Sequence, residues 1–175
     1  MGMLFLGKPG ISLTGFMFTG KSSVGKTLAG MLDLRFVDLD DSISAAAGMS
    51  IEKIFAEQGE EGFRALEREA LSRVLETPGR IIATGGGVVI DPLNRELLRQ
   101  KSCVIWLTAR PETILERFNH SQGRPRPLLA VADPRERIVR LLEEREAFYR
   151  ECDFSVPTDG CSVADICAGI MEKFA

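Results

Sequence analysis

Short apolar runs alternate with longer amphipathic stretches along the chain, and the two periods separate strands from helices. Ile11–Thr14, Arg35–Asp38, Arg80–Ala83, 104–107 and 154–156 predict strands. Residues 22–32, 111–118, Pro134–Tyr149 and 163–174 have helical spacing. Residues 60–75 place Phe63, Leu66, Ala70, Leu71 and Leu75 on one repeating face, and Pro78-Gly79 stops that helix. Asp91-Pro92 opens another, with the aspartate as N-cap and the proline at the first helical position. Residues 119–133 are rich in proline and arginine and predict a loop. Strands alternating with helices imply an α/β fold, a parallel sheet covered on both faces. In such sheets ligands bind beyond the carboxyl ends of the strands. The unusual residues fall there: a loop starting at Gly15 after the first strand, Asp38 and Asp40 after the second, and Gly85, Gly86 and Gly87 after the third.

Length and composition narrow the picture further. The 175 residues suit one domain with a full core, and no repeat or linker divides them. A formal net charge of -3 supplies no global basic field, so no nucleic-acid partner is expected. No apolar run reaches the roughly 20 residues a membrane span needs, so no membrane association is expected. Cys103, Cys152, Cys161 and Cys167 form no C-x-x-C pair, and His120 is the single histidine, which argues against zinc. Reduced thiols suit a cytoplasmic protein. Residues 1–10 carry a short apolar patch without a cleavage signal and read as an unstructured start or an expression scar.

Residues 15–22, Gly-Phe-Met-Phe-Thr-Gly-Lys-Ser, match the phosphate-loop pattern G-x-x-x-x-G-K-[ST]. An overlapping match runs from Gly20 to Gly25-Lys26-Thr27. The first frame is preferred because Ile11–Thr14 feeds directly into Gly15 and a helix follows Ser22. In that frame the backbone N–H groups of Gly15, Gly20 and the helix start, with Ser23 in its first turn, surround nucleotide phosphates. Lys21 adds a positive charge at the β/γ-phosphates, and the Ser22 hydroxyl is offered to Mg²⁺. Strand alternation places the Asp38 and Asp40 carboxylates on one face, one to orient metal-bound water and one to take a proton from a substrate hydroxyl. Asp41 is expected to cap a short helix. Trp106 is expected in the core, His120 in solvent, and the run Glu143-Glu144-Arg145-Glu146 on an exposed helix face.

Taken together, residues 15–22, Phe36-Val37-Asp38-Leu39-Asp40, Gly59-Glu60-Glu61-Gly62-Phe63-Arg64, Ala83-Thr84-Gly85-Gly86-Gly87, Arg126-Pro127-Leu128-Leu129 and Glu144-Arg145 followed by Tyr149 resemble the shikimate kinase family. The pieces stand in the family's order over residues 11–172, a far more specific signal than any one of them. The resemblance implies a three-layer, nucleoside-monophosphate-kinase-like α/β domain over 1–175. It would have a five-stranded parallel sheet, a substrate-binding region around 40–70 and a mobile lid at 119–133. It also implies a monomeric cytoplasmic enzyme that transfers the γ-phosphoryl group of ATP, with Mg²⁺, to the 3-hydroxyl of shikimate.

By the same resemblance, Lys21 and Ser22 handle phosphates and metal, and Asp38 reaches the metal through water. Asp40 binds the shikimate hydroxyls and promotes attack. Arg64 and Arg145 hold the shikimate carboxylate beside Gly85, Gly86 and Gly87. Arg126 in the lid reaches both substrates, and Arg117 belongs to the nucleotide side. A bidentate guanidinium fork suits a planar carboxylate. One departure stands out: Phe18 occupies a loop position where the family usually has glycine, and its β-carbon restricts φ. Phe18→Gly is therefore expected to lower the ATP KM; an unchanged or higher KM would count against this. The alternatives are a kinase of the same fold for another acceptor, such as gluconate or a nucleotide, and a nucleotide-binding regulatory module without turnover, for which Phe18 is the only support.

Overall fold

The computed structural model describes residues 5–121, 127–129 and 131–174. Among them, five parallel strands form one sheet: β1 (Ile11–Thr14), β2 (Arg35–Asp38), β3 (Arg80–Ala83), β4 (Cys103–Thr108) and β5 (Phe154–Pro157), in the order β2-β3-β1-β4-β5. The helices are α1 (Lys21–Leu32), α2 (Leu39–Ala47), α3 (Ile51–Leu75), α4 (Pro92–Lys101), α5 (Pro111–Asn119), α6 (Pro134–Tyr149) and α7 (Val163–Glu172). The expected α/β architecture is therefore present.

Strand alternation divides the apolar residues between two cores, one on each sheet face. Ile11 and Leu13 of β1, Ile81 of β3 and Cys103, Ile105 and Leu107 of β4 pack with Val24 and Leu28 of α1 and Ile166 and Ile170 of α7. The intervening Ile82, Val104 and Trp106 face Ile43 of α2, Phe63 and Leu71 of α3, Leu98 of α4 and Tyr149 of α6. This is the three-layer arrangement that buries a parallel sheet on both sides. A third cluster lies beyond the carboxyl ends of the strands, where Phe16 meets Ile114 of α5, Leu129, and Ile138 and Leu141 of α6.

Two local expectations hold and two change. Gly25, Lys26 and Thr27 lie inside α1, so the second phosphate-loop frame falls away; Gly25 lets the helix sit against the Phe36 ring. The helix expected over 60–75 is present; a helical segment 51–58, which Ser50 caps and the periodicity reading lacked, precedes it, and the two meet at Gly59. There φ is 70° and ψ -171°, a conformation that is essentially glycine's alone. Residues 5–10 are not an unstructured start. Phe5 is buried with its ring 5.0 Å from Phe174, and Lys8 pairs with Phe5 in an isolated bridge. Finally, β2 ends at Asp38 and α2 starts at Leu39, so Asp38 and Asp40 do not share a strand face. Asp38 is the N-cap of α2, its Oδ1 accepting the Asp40 N–H at 3.1 Å, and it holds the position expected for Asp41.

Candidate active site

Three loops at the carboxyl ends of β1, β2 and β3 enclose a cleft of about 420 Å³. Lys21, Ser22 and Ser23 from the first turn of α1, Asp38 and Asp40 from the β2–α2 junction, Gly85 and Gly86 after β3, and Arg117 of α5 all line it. These sequence-distant groups are among those the motifs singled out; Arg64, Gly87 and Arg145, also singled out, do not line this cleft. Arg126 lies outside the described residues, as do 122–125 and 130 of the expected lid.

On the phosphate-loop side, Lys21 reaches back along the loop, its Nζ donating to the carbonyls of Gly15 and Phe16, both at 2.8 Å. A β-carbon at Gly15 would collide with the Leu107 carbonyl oxygen, so the loop can turn this close to β4 only with glycine there. The turn is closed by Thr19, whose N–H and hydroxyl both donate to the Phe16 carbonyl, at 3.4 and 2.8 Å. Phe18 takes the left-handed backbone conformation, with φ 63°. For a residue with a β-carbon this costs about 1–2 kcal/mol. The Ser22 hydroxyl donates to Asp38 Oδ2 at 2.7 Å, which places a hydroxyl and a carboxylate side by side at the helix N-terminus.

The opposite wall is built on the glycine loop. A β-carbon at Gly85 would fall 3.0 Å from Asp40 Oδ1 and 3.2 Å from Glu67 Oε1; one at Gly87 would fall 2.6 Å from Arg64 Nη2. The absence of side chains there lets two carboxylates and a guanidinium close over the backbone. Arg64 donates to Glu67 Oε2 at 2.8 Å and to Glu60 Oε1 at 3.2 Å. From α6, Arg145 Nη1 donates to the Gly86 carbonyl at 3.3 Å, over the Phe16 ring. Tyr149 donates its hydroxyl to the same carbonyl at 2.5 Å and stacks on Trp106. Glu143, Glu144 and Glu146 are exposed, as expected of that run, while Arg145 turns inward and is only 6% exposed.

Sequence reasoning missed Glu67, which is 1% exposed and whose Oε1 has no hydrogen-bond partner among the described residues. Burial pushes its carboxyl above the ordinary glutamate range; Arg64 pulls it down, and the Asp40 and Asp91 carboxylates push it up again. Burial opposes the charge on Arg64, but Glu67 and Glu60 outweigh it and hold the guanidinium charged. The only sequence signal for Glu67 was its position three residues after Arg64, which places the two on one helix face. Tyr149 was visible as part of a motif but without a role. Its hydroxyl is pushed up to about 12, by burial first, so it is a hydrogen-bond donor and not a base.

Arg117 bridges two loops. Its guanidinium donates to the Phe18 carbonyl at 2.9 Å, the Thr158 hydroxyl at 3.0 Å and the Thr158 carbonyl at 2.7 Å. His120 is exposed, as expected, and its Nδ1 meets the Glu116 carbonyl. Trp106 is half-buried against the second core. Among the described residues no three His, Cys, Asp or Glu groups form a metal cage. The donors present are the hard oxygens of Ser22 and Asp38, the kind used with Mg²⁺, which takes most of its other ligands from phosphates and water.

The sequence profile of the shikimate kinase family matches residues 17–175. The shikimate kinase of Caldanaerobacter subterraneus subsp. tengcongensis is 44% identical over 164 residues, 94% of this chain and 95% of that protein. The structure of shikimate kinase from Acinetobacter baumannii in complex with shikimate superposes with a TM-score of 0.89 at 34% identity, covering 94% of this chain and 92% of that one. A gluconokinase from Sinorhizobium meliloti superposes with a TM-score of 0.62 at 17% identity over 95% of this chain and 91% of that one, a likeness of fold alone.

Proposed function

The chain belongs to the shikimate kinase family, and from that premise we infer how its cleft works. It is an ATP-dependent kinase that passes the γ-phosphoryl group of ATP to the 3-hydroxyl of shikimate, giving ADP and shikimate 3-phosphate, a step toward the aromatic amino acids. The observation that carries the residue assignment is the convergence of Asp40, Arg64 and Arg145 on the glycine loop, across the cleft from Lys21.

In this reading Arg64 of α3 and Arg145 of α6 both reach the glycine loop and together grip the shikimate carboxylate, each presenting a planar fork. Glu67 aims the Arg64 fork, and Tyr149 with Arg145 fixes the Gly86 peptide. Asp40 hydrogen-bonds the acceptor hydroxyl. A carboxylate is a far weaker base than an alkoxide, so Asp40 orients the hydroxyl and takes the proton late. The 3-oxygen forms its bond to the γ-phosphorus as the bond to the ADP oxygen breaks, and the proton goes to Asp40. The loop amides and Lys21 neutralise the charge spread over the transferring group, and positioning supplies most of the catalysis.

Ser22, directly, and Asp38, through water, would hold Mg²⁺, which when bound neutralises phosphate charge. Arg126 would serve both substrates and Arg117 the nucleotide side. A mobile lid at 119–133 would exclude water, the competing acceptor. We assign the whole chain to one kinase domain, with its substrate-binding region around 40–70. One chain supplies every group named, so a monomer suffices. No helix among the described residues is long and apolar enough to cross a membrane, and the four free thiols suit the reducing cytoplasm, where we place the enzyme.

The test is ADP release by the purified protein with ATP and Mg²⁺, with and without shikimate, beside Asp40→Asn and with gluconate as a control acceptor. Stimulation by shikimate alone, abolished by Asp40→Asn, is the expected result. Equal stimulation by gluconate would overturn the acceptor assignment. An Asp40→Asn enzyme with full activity would remove Asp40 from the chemistry.

A further inference from the structure

Phe18 has a backbone that favours glycine and a side chain that glycine lacks. It stands third in the turn formed by residues 16–19, with φ 63°, where a positive φ ordinarily selects glycine. Its ring is half-buried and meets Phe118, near the end of α5, edge-on: the centroids are 5.7 Å apart and the planes are inclined at 64°. Such edge-to-face contacts are the favoured aromatic geometry. The Phe18 carbonyl accepts from Arg117, the residue before Phe118, at 2.9 Å. Arg117 is itself held by Thr158 on the β5–α7 connection. One side-chain contact and one backbone contact from adjacent residues of α5 thus fix a single strained peptide of the loop. Phe18 also lines the cleft beside Lys21.

We propose that Phe118 is a positioning residue for the nucleotide. By clasping the Phe18 ring it holds the phosphate-loop turn in its left-handed conformation and so keeps the loop shaped for the ATP phosphates. The proposal rests on the reading of this loop as the ATP site. It separates two jobs at position 18. The β-carbon makes the turn unfavourable, and the ring, through Phe118, offsets that. A glycine would need no clasp. A chain with the β-carbon but no ring would have the strain without the remedy.

That logic fixes a set of variants. Phe118→Ala and Phe18→Ala are each expected to raise the ATP KM about threefold to tenfold, the loss of one aromatic contact, with the shikimate KM unchanged. Phe118→Leu, which keeps apolar bulk against the ring, is expected to recover part of the loss. Phe18→Gly is expected to lower the ATP KM, and Phe118→Ala added to Phe18→Gly is expected to change nothing further. That non-additivity marks coupling between the two positions. Binding of a fluorescent ATP analogue, measured without shikimate, should give the same order of affinities.

An unchanged ATP KM in both Phe118→Ala and Phe18→Ala overturns the proposal. So does an equal rise from Phe118→Ala whether it is made in wild type or added to Phe18→Gly, because Phe118 would then act through α5 and not through Phe18. Should Phe118→Ala fail to fold, Phe118→Leu and the two substitutions of Phe18 decide between the same outcomes. Wild-type protein that binds no ATP analogue would instead remove the premise that this loop is the nucleotide site, and the proposal with it.

Discussion

Glu67→Gln keeps the shape of the side chain and removes the charge that holds Arg64 in place. A hydrogen bond between charged groups is worth about 1.5–3 kcal/mol, so the shikimate KM is expected to rise about tenfold or more. The ATP KM should stay constant, because Glu67 faces the glycine loop and not the phosphate loop; steady-state kinetics with each substrate varied in turn checks both. The same variant has a pH signature. The folded state raises the Glu67 carboxyl above its ordinary value near 4.5, mainly by burial, so folding favours the protonated form. The stability it contributes is complete below that ordinary value and is lost as pH rises through the raised one. Relative to Glu67→Gln, wild type is therefore expected to melt highest at acid pH and to lose that advantage from pH 4.5 upward, as thermal melts across pH would show. An advantage that grows with pH would mean that the ion pair outweighs burial. Lys21 and Ser22 were legible in the sequence because one contiguous motif carries them, and Asp38 because a second, residues 36–40, carries it. Glu67 was not, because its role needs Asp40, Arg64 and Gly85 to meet in space.

At the scale of elements, the strands and most helices could be read from periodicity, and the errors gathered at junctions. Asp38 shows why. A strand ending in aspartate and a helix capped by aspartate look alike in sequence, and only the Asp38 carboxylate on the Asp40 N–H decides between them. The helix over 60–75 was legible, but the segment 51–58, set off from it by the break at Gly59, was not read from periodicity. Asp38 caps α2 and, in the proposed reading, holds Mg²⁺ through water, two roles that substitutions can separate. Asparagine caps helices as well as aspartate does, so Asp38→Asn is expected to preserve stability while raising the Mg²⁺ concentration needed for half-maximal activity. Asp38→Ala is expected to raise that requirement as well and to lose about 1 kcal/mol of stability with the cap. Urea unfolding beside a Mg²⁺ titration of activity checks the pair. A stability loss in Asp38→Asn equal to that in Asp38→Ala would mean that the carboxylate's charge, and not the cap, supports α2.

Across the whole molecule, Tyr149 joins three parts: it ends α6, stacks on Trp106 of β4 with the rings inclined by 14°, and donates to the Gly86 carbonyl. The second core therefore runs without interruption from the sheet to the proposed acceptor site. Trp106 is the only tryptophan in the chain, so its fluorescence reports on this one junction. In the proposed site, shikimate gripped by Arg145, one helical turn from Tyr149 on the same face of α6, would press on the peptide that Tyr149 also holds. Shikimate is thus expected to change the Trp106 emission in wild type. In Tyr149→Phe the ring stack remains and the hydrogen bond is gone. That variant is expected to be less stable by about 1 kcal/mol and to show a smaller shikimate-induced emission change. Its shikimate KM should rise while its ATP KM does not, since Tyr149 holds the glycine loop and Lys21 the phosphate loop. An emission change in Tyr149→Phe as large as in wild type would sever the Gly86 peptide from the tryptophan. The signal would then have to come from movement of α6 as a whole, and the titration amplitude distinguishes the two.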